Sequence, residues 1–87
     1  MLKGKTSTGF EYEIDDEVAD DWEIVESYAE AEHGDNRASI MVLKQILGAD
    51  QYNALKEHCR GKNGRVSGKM MGAEMEEIMD SSKETKN

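Results

Sequence analysis

The chain of 87 residues contains no proline, a single cysteine, one tryptophan and one phenylalanine. A lone Cys59 excludes an intrachain disulfide, as expected of a protein kept in a reducing compartment. No apolar run approaches the roughly 18 residues of a membrane span, and Met1-Leu2-Lys3-Gly4-Lys5-Thr6 has no hydrophobic stretch of the signal-peptide kind. An intracellular protein without a membrane segment is expected. The short length matters as well, because a chain this size buries only about 64% of the surface its unfolded form exposes. One modest core is all it can hold, with little room for a deep catalytic pocket.

What is abundant is charge: 19 Asp and Glu against 11 Lys and Arg, net −8. The charge is segregated. Residues 1–36 carry twelve acids and two bases, residues 37–69 two acids and seven bases, and residues 70–87 five acids and two bases, so the blocks stand at −10, +5 and −3. The acidic balance disfavours nucleic acid, whose phosphates must be offset by cations. Opposite blocks in one chain can instead attract each other, within a monomer or between copies, and self-association that weakens with salt is expected.

Phe10, Tyr12 and Ile14 alternate with Glu11 and Glu13, the period of a half-buried strand. Ser7-Thr8-Gly9 before them is turn chemistry, so Leu2 to Thr6 can fold back as a partner strand. Asp15 and Asp16 can cap a helix in which Val18, Trp22, Val25 and Ala29 form an apolar stripe, with Ile24 and Tyr28 beside it, ending near Gly34. Asp35 or Asn36 can cap a second helix, rich in Ile40, Met41, Val42, Leu43, Ile46 and Leu47 and ending at Gly48. Asp50 would begin a third with Tyr52, Leu55 and Cys59, closed by Gly61. Ser67 can cap a last helix, stapled by Val66 and Met71 and made costly by Gly68 and Gly72. The expected fold is α+β and mostly helical, an N-terminal β-hairpin packed on three to four short helices. Residues 1–80 would form one domain and residues 81–87 a disordered polar tail. The expected core comprises Phe10, Tyr12, Ile14, Trp22, Val25, Leu43, Leu47 and Leu55.

No catalytic constellation emerges. The acids from Asp15 to Asp21 lack the glycine and terminal glutamate of a calcium loop. His58 and Cys59 are adjacent, which on a helix points them about 100° apart. His33 adds no second ligand pair for zinc, and no lysine-hydroxyl pair follows Gly61-x-x-Gly64 to make a phosphate loop. An enzyme, a metal and a cofactor are therefore not expected. Two features suggest binding. The basic segment Lys56, Arg60, Lys62, Arg65 and Lys69 reads as a solvated helix end and loop, or as a patch for an acidic partner; the absence of interleaved aromatics disfavours nucleic acid. On the last helix, Met71, Met75, Ile78 and Met79 form an apolar face that serves either as core or as an adaptable partner surface.

The hairpin Lys3-Gly4-Lys5-Thr6-Ser7-Thr8-Gly9-Phe10-Glu11-Tyr12-Glu13-Ile14-Asp15 is followed by Asp20-Asp21-Trp22-Glu23-Ile24-Val25-Glu26, then by Leu43-Lys44-Gln45-Ile46-Leu47-Gly48-Ala49-Asp50-Gln51-Tyr52-Asn53-Ala54-Leu55-Lys56 and Asn63-Gly64-Arg65-Val66. In this order the segments resemble the small tail assembly chaperones of long-tailed bacteriophages and prophages, over about residues 3 to 80. The chain departs from that pattern at Arg60-Gly61-Lys62 and at Gly68 and Gly72. The resemblance implies a non-enzymatic protein of the bacterial host cytoplasm that coats the tape-measure protein and helps recruit tail-tube subunits. It also implies that a longer, frameshifted form can exist. From a different class, a small acidic regulator or inhibitor that binds a basic protein surface fits the composition too.

Overall fold

The computed structural model describes residues 1–84. It is 64% helical, an α+β arrangement with a two-stranded antiparallel hairpin at the N-terminus. Strands β1 (Leu2–Lys5) and β2 (Glu11–Ile14) pair in the register Leu2↔Ile14 and Gly4↔Tyr12. Gly9 turns the chain at φ 95°, with its N–H donated to the Thr6 carbonyl at 2.9 Å. Gly4 lies directly under the Tyr12 ring, where a methyl group would collide with it. On the free edge of β2, Gln51 substitutes for a third strand. Its amide oxygen accepts from Glu13 N–H at 2.7 Å and its NH2 donates to the Glu13 carbonyl at 2.8 Å.

Three aspartates start helices. Asp15 opens α1 (Asp16–Ala19), Asp21 opens α2 (Trp22–Glu32) and Asp35 opens α3 (Asn36–His58); the first two side chains each accept the backbone N–H two residues on, and Asp35 accepts those of Arg37 and Ala38. The single helix expected from Asp15 to Gly34 is thus two. Asp21 takes the Glu23 N–H at 2.9 Å, and this local capping bond competes with continuation of the helix through residues 20 and 21.

The break re-phases α2, and it overturns part of the expected core. Trp22 is 71% exposed and Val25 39% exposed, and Ala29 on the same stripe is exposed too. The opposite side, carrying Ile24 and Tyr28, packs on the core. Val18 belongs to a different helix and no longer extends the Trp22 stripe. The other six expected core residues, Phe10, Tyr12, Ile14, Leu43, Leu47 and Leu55, are buried.

Gly48 sits inside α3 at φ 78°, ψ 167°, a conformation that side-chain-bearing residues avoid. It divides the helix into two abutting arms with no loop between them. The second arm ends at Cys59, whose N–H reaches the Leu55 and Lys56 carbonyls, and not at Gly61. The turn beyond is made by Gly64 at φ 82°, closed by Gly61 N–H on the Arg65 carbonyl at 2.9 Å. Ser67 Oγ accepts from Met70 N–H at 3.2 Å and begins α4 (Gly68–Glu84). The helix runs past residue 80, since Ser81 to Glu84 contain no breaker; the rest of the expected tail, residues 85–87, lies outside the described residues.

The core sits where the hairpin face, both arms of α3 and the inner side of α4 meet, around Ile14, Val42, Leu55 and Ile78. Burying each such side chain stabilises the fold by about 1.5–3 kcal/mol. Ile78 and Met79, read from the sequence as partner-binding residues, belong to this core; Ile78 is 0% exposed. They sit one turn beyond Glu74 and Met75, on the side of α4 that faces the hairpin and α3.

Candidate protein-docking site

Between α3 and α4 runs a groove of about 540 Å3. Asn36, Ile40 and Leu43 line it from the first arm of α3, at spacings that stack them on one helical face. Tyr52 and Lys56, one turn apart, continue it along the second arm, and Gly48 sets the bend between the arms. Met71 and Met75 form the α4 wall, with Val66 at one end.

Gly68 and Gly72 also face the groove. A Cβ built on either would meet no atom within 4 Å. Each costs the helix up to about 1 kcal/mol relative to alanine, and the groove is widened by the two missing side chains. Their i, i+4 spacing was the signal available in the sequence; read by itself it indicated only a weakened helix.

The groove is apolar in its lining but cationic at its rim. The ammonium groups of Lys44 and Lys56 each lie 5.4 Å from the centroid of the Tyr52 ring, so two positive charges flank one aromatic wall. Among the other bases of that segment, Lys62, Arg65 and Lys69 are exposed. Arg60 is committed within the chain. Its guanidinium holds the Glu57 carboxylate at 2.7 Å and the Gly64 carbonyl at 2.6 Å, clamping the loop. The hydrogen bond from Arg60 holds the Glu57 carboxyl below its ordinary value, and the same contact raises the already high value of the guanidinium.

The opposite wall of α4 is fixed by a buried polar cluster that sequence reasoning did not identify. Glu74, 2% exposed, accepts from the Thr6 hydroxyl at 2.8 Å and the Thr8 hydroxyl at 2.9 Å. His58 Nε2 lies 2.9 Å from Thr8 Oγ1. Because the single Thr8 proton goes to Glu74, that histidine nitrogen carries a hydrogen and donates it to the threonine oxygen. One turn on, Glu77 accepts from both the N–H and the hydroxyl of Ser7, each at 2.8 Å. Two carboxylates of α4 therefore grip three consecutive residues of the hairpin turn and hold Met71 and Met75 over the groove.

No family model, no curated protein and no solved structure matches this chain.

A second depression, of about 600 Å3, overlies the hairpin and is lined by Lys3, Lys5, Glu11, Glu13 and Gln51 around Gly4 and Tyr12. Its charges face one another across the strands, Lys3 Nζ lying 3.7 Å from Glu13. Among the described residues, no three His, Cys, Asp or Glu side chains are grouped to hold a metal ion, and no helix is long and apolar enough to cross a membrane. The groove, with apolar walls and a cationic rim, is suited to an amphipathic peptide segment with acidic flanks.

Proposed function

We propose that the chain is a non-enzymatic tail assembly chaperone of the long-tailed bacteriophage type, acting in the host cytoplasm. In this role it holds amphipathic helical segments of the tape-measure protein and helps recruit tail-tube subunits. The observation that carries the proposal is the α3–α4 groove, opened by Gly68 and Gly72 and walled by Met71 and Met75. A client that presents many non-identical helical turns needs an adaptable site. Methionine supplies that adaptability, being unbranched and polarisable, and a helix lying in an apolar groove is a recurrent mode of peptide capture. The net charge of −8 keeps a protein with exposed apolar surface in solution.

The test is co-expression with the tape-measure protein of the phage or prophage whose genome carries this chain. The soluble fraction of that protein should rise, and the two should co-purify. A tape-measure protein that remains equally insoluble with and without this chain overturns the proposal.

A further inference from the structure

The chain carries 19 acids, yet no carboxylate lines the α3–α4 groove. What borders it is positive. Lys44 stands one turn beyond Ile40 on the first arm of α3, and Lys56 one turn beyond Tyr52 on the second. In a straight helix residues twelve apart are separated by about 18 Å along the axis, whereas here the bend at Gly48 accompanies two ammonium groups that share the Tyr52 ring. Neither is in an ion pair among the described residues, although Arg60 has taken Glu57 close by. Two of the acids of α4, Glu74 and Glu77, are turned to the hairpin. Resting on the ring already restricts both lysine side chains, so a carboxylate arriving beside them need order little more.

We propose that Lys44 and Lys56, positioned by Tyr52, bind an acidic side chain of the helix in the groove, so that the site selects amphipathic helices with Asp or Glu in the row beside their apolar stripe. This selectivity rests on the groove being the client site proposed above, and it adds what the client must carry. With the stripe against Leu43, Met71 and Met75, an acid three or four residues from a stripe residue lies on the same side of the bound helix and within reach of the rim. Methionine walls accept many apolar shapes and choose poorly between them. The lysine pair supplies the choice, since a basic residue in the same row is repelled. Net charge works the other way: at −8 the chain as a whole attracts basic peptides. At 0.1 M salt that attraction is screened beyond about 10 Å, and the local pair prevails. A preference for acids in so acidic a protein is therefore the signature of these two lysines.

The test uses three labelled synthetic peptides of about 18 residues, long enough to be helical, with one stripe of Leu and Met and with Glu, Gln or Lys in the row beside it. Each is titrated with the full chain and followed by fluorescence anisotropy. At about 0.1 M salt the Glu peptide should bind about tenfold more tightly than the Lys peptide, with Gln between, and the ratio should shrink towards one at about 0.5 M. Lys44→Glu with Lys56→Glu should reverse the order. Lys44→Gln with Lys56→Gln should erase it while leaving the Gln peptide within about twofold, and decides the matter if the doubly acidic variant does not fold by circular dichroism. Tyr52→Leu keeps an apolar wall, and should weaken the preference for Glu without changing the affinity for the Gln peptide. Equal binding of the three peptides, or tightest binding of the Lys peptide, overturns the proposal while leaving the groove as the client site. A Glu preference that survives Lys44→Gln with Lys56→Gln overturns it as well. So does failure of all three peptides to bind, and the co-expression experiment then decides the proposed function by itself.

Discussion

Thr6 and Glu74, 68 residues apart in sequence, are joined by a buried hydrogen bond of 2.8 Å between the threonine hydroxyl and the carboxylate. The bond closes the fold, tying the first turn of the chain to its last helix. It is also part of a fully connected cluster, since Thr6 Oγ1 accepts from Phe10 N–H at 3.2 Å while Glu74 takes the Thr8 proton. Among the described residues no buried side-chain nitrogen or oxygen lacks a partner. Such a network specifies one arrangement of hairpin and helix, because any other leaves a carboxylate or a hydroxyl buried without a partner.

Replacing Glu74 with alanine should therefore destabilise the protein by about 2–4 kcal/mol, the loss of hydrogen bonds to a charged group together with unsatisfied threonines. Urea denaturation measures it. Thr6→Val combined with Glu74→Leu should cost less than the sum of the two single changes, since both polar partners leave together.

Trp22→Ala should change stability by no more than about 0.5 kcal/mol, against about 3–5 for a buried tryptophan. In dilute protein at high salt, the emission of this sole tryptophan should be that of a hydrated indole and open to quenching by acrylamide.

The two inner glycines of the helices should respond in opposite senses. Gly48→Ala must place a Cβ at φ 78°, ψ 167°, and should cost about 1–3 kcal/mol. Gly72→Ala meets open space on a helix and should stabilise by up to about 1 kcal/mol while narrowing the groove. Thermal unfolding of the two variants should move the midpoint down and up respectively.

Burial pushes the Cys59 thiol above its ordinary value, and the Glu74 carboxylate adds to the effect. A thiol reagent at pH 8 should label the native protein at least about tenfold more slowly than the unfolded chain, because the thiolate is both disfavoured and covered. The linkage has a definite sign. The folded-state value lies above the unfolded one of about 8.5, so the contribution of this group to stability is intact below that pH and is lost as pH rises through the folded value. Urea midpoints measured from pH 7 to 10 should fall less steeply for Cys59→Ala than for the parent.

The hairpin was legible because an alternating strand, a glycine turn and a return strand are local signals. The helix starts were legible at Asp15 and Asp35 for the same reason. Asp21 carries the same capping chemistry but lay inside an apolar periodicity that ran from Val18 to Ala29, and the capping bond prevailed over the periodicity. Of the groove, Met71, Met75 and Lys56 were marked in advance. Ile40, Tyr52 and the two α4 glycines were not, because their shared surface exists only once the bend at Gly48 brings both arms of α3 alongside α4. The Glu74 cluster was hidden for a similar reason, since a glutamate on an acidic helix reads as solvated until a hairpin turn covers it.

The sequence by itself determined the elements: local hydrogen bonding at the aspartate caps and glycine turns, and the two-residue period of the strand, depend only on near neighbours. It also determined that α2 has an apolar stripe at Trp22, Val25 and Ala29. Only the tertiary structure decided which side of α2 faces inward. Ile24 and Tyr28 offer a second apolar stripe on the same helix, and the choice between them was made by the break at Asp21 and by packing against α3. Burial against another element is a long-range gain that helical spacing cannot allot between two candidate faces.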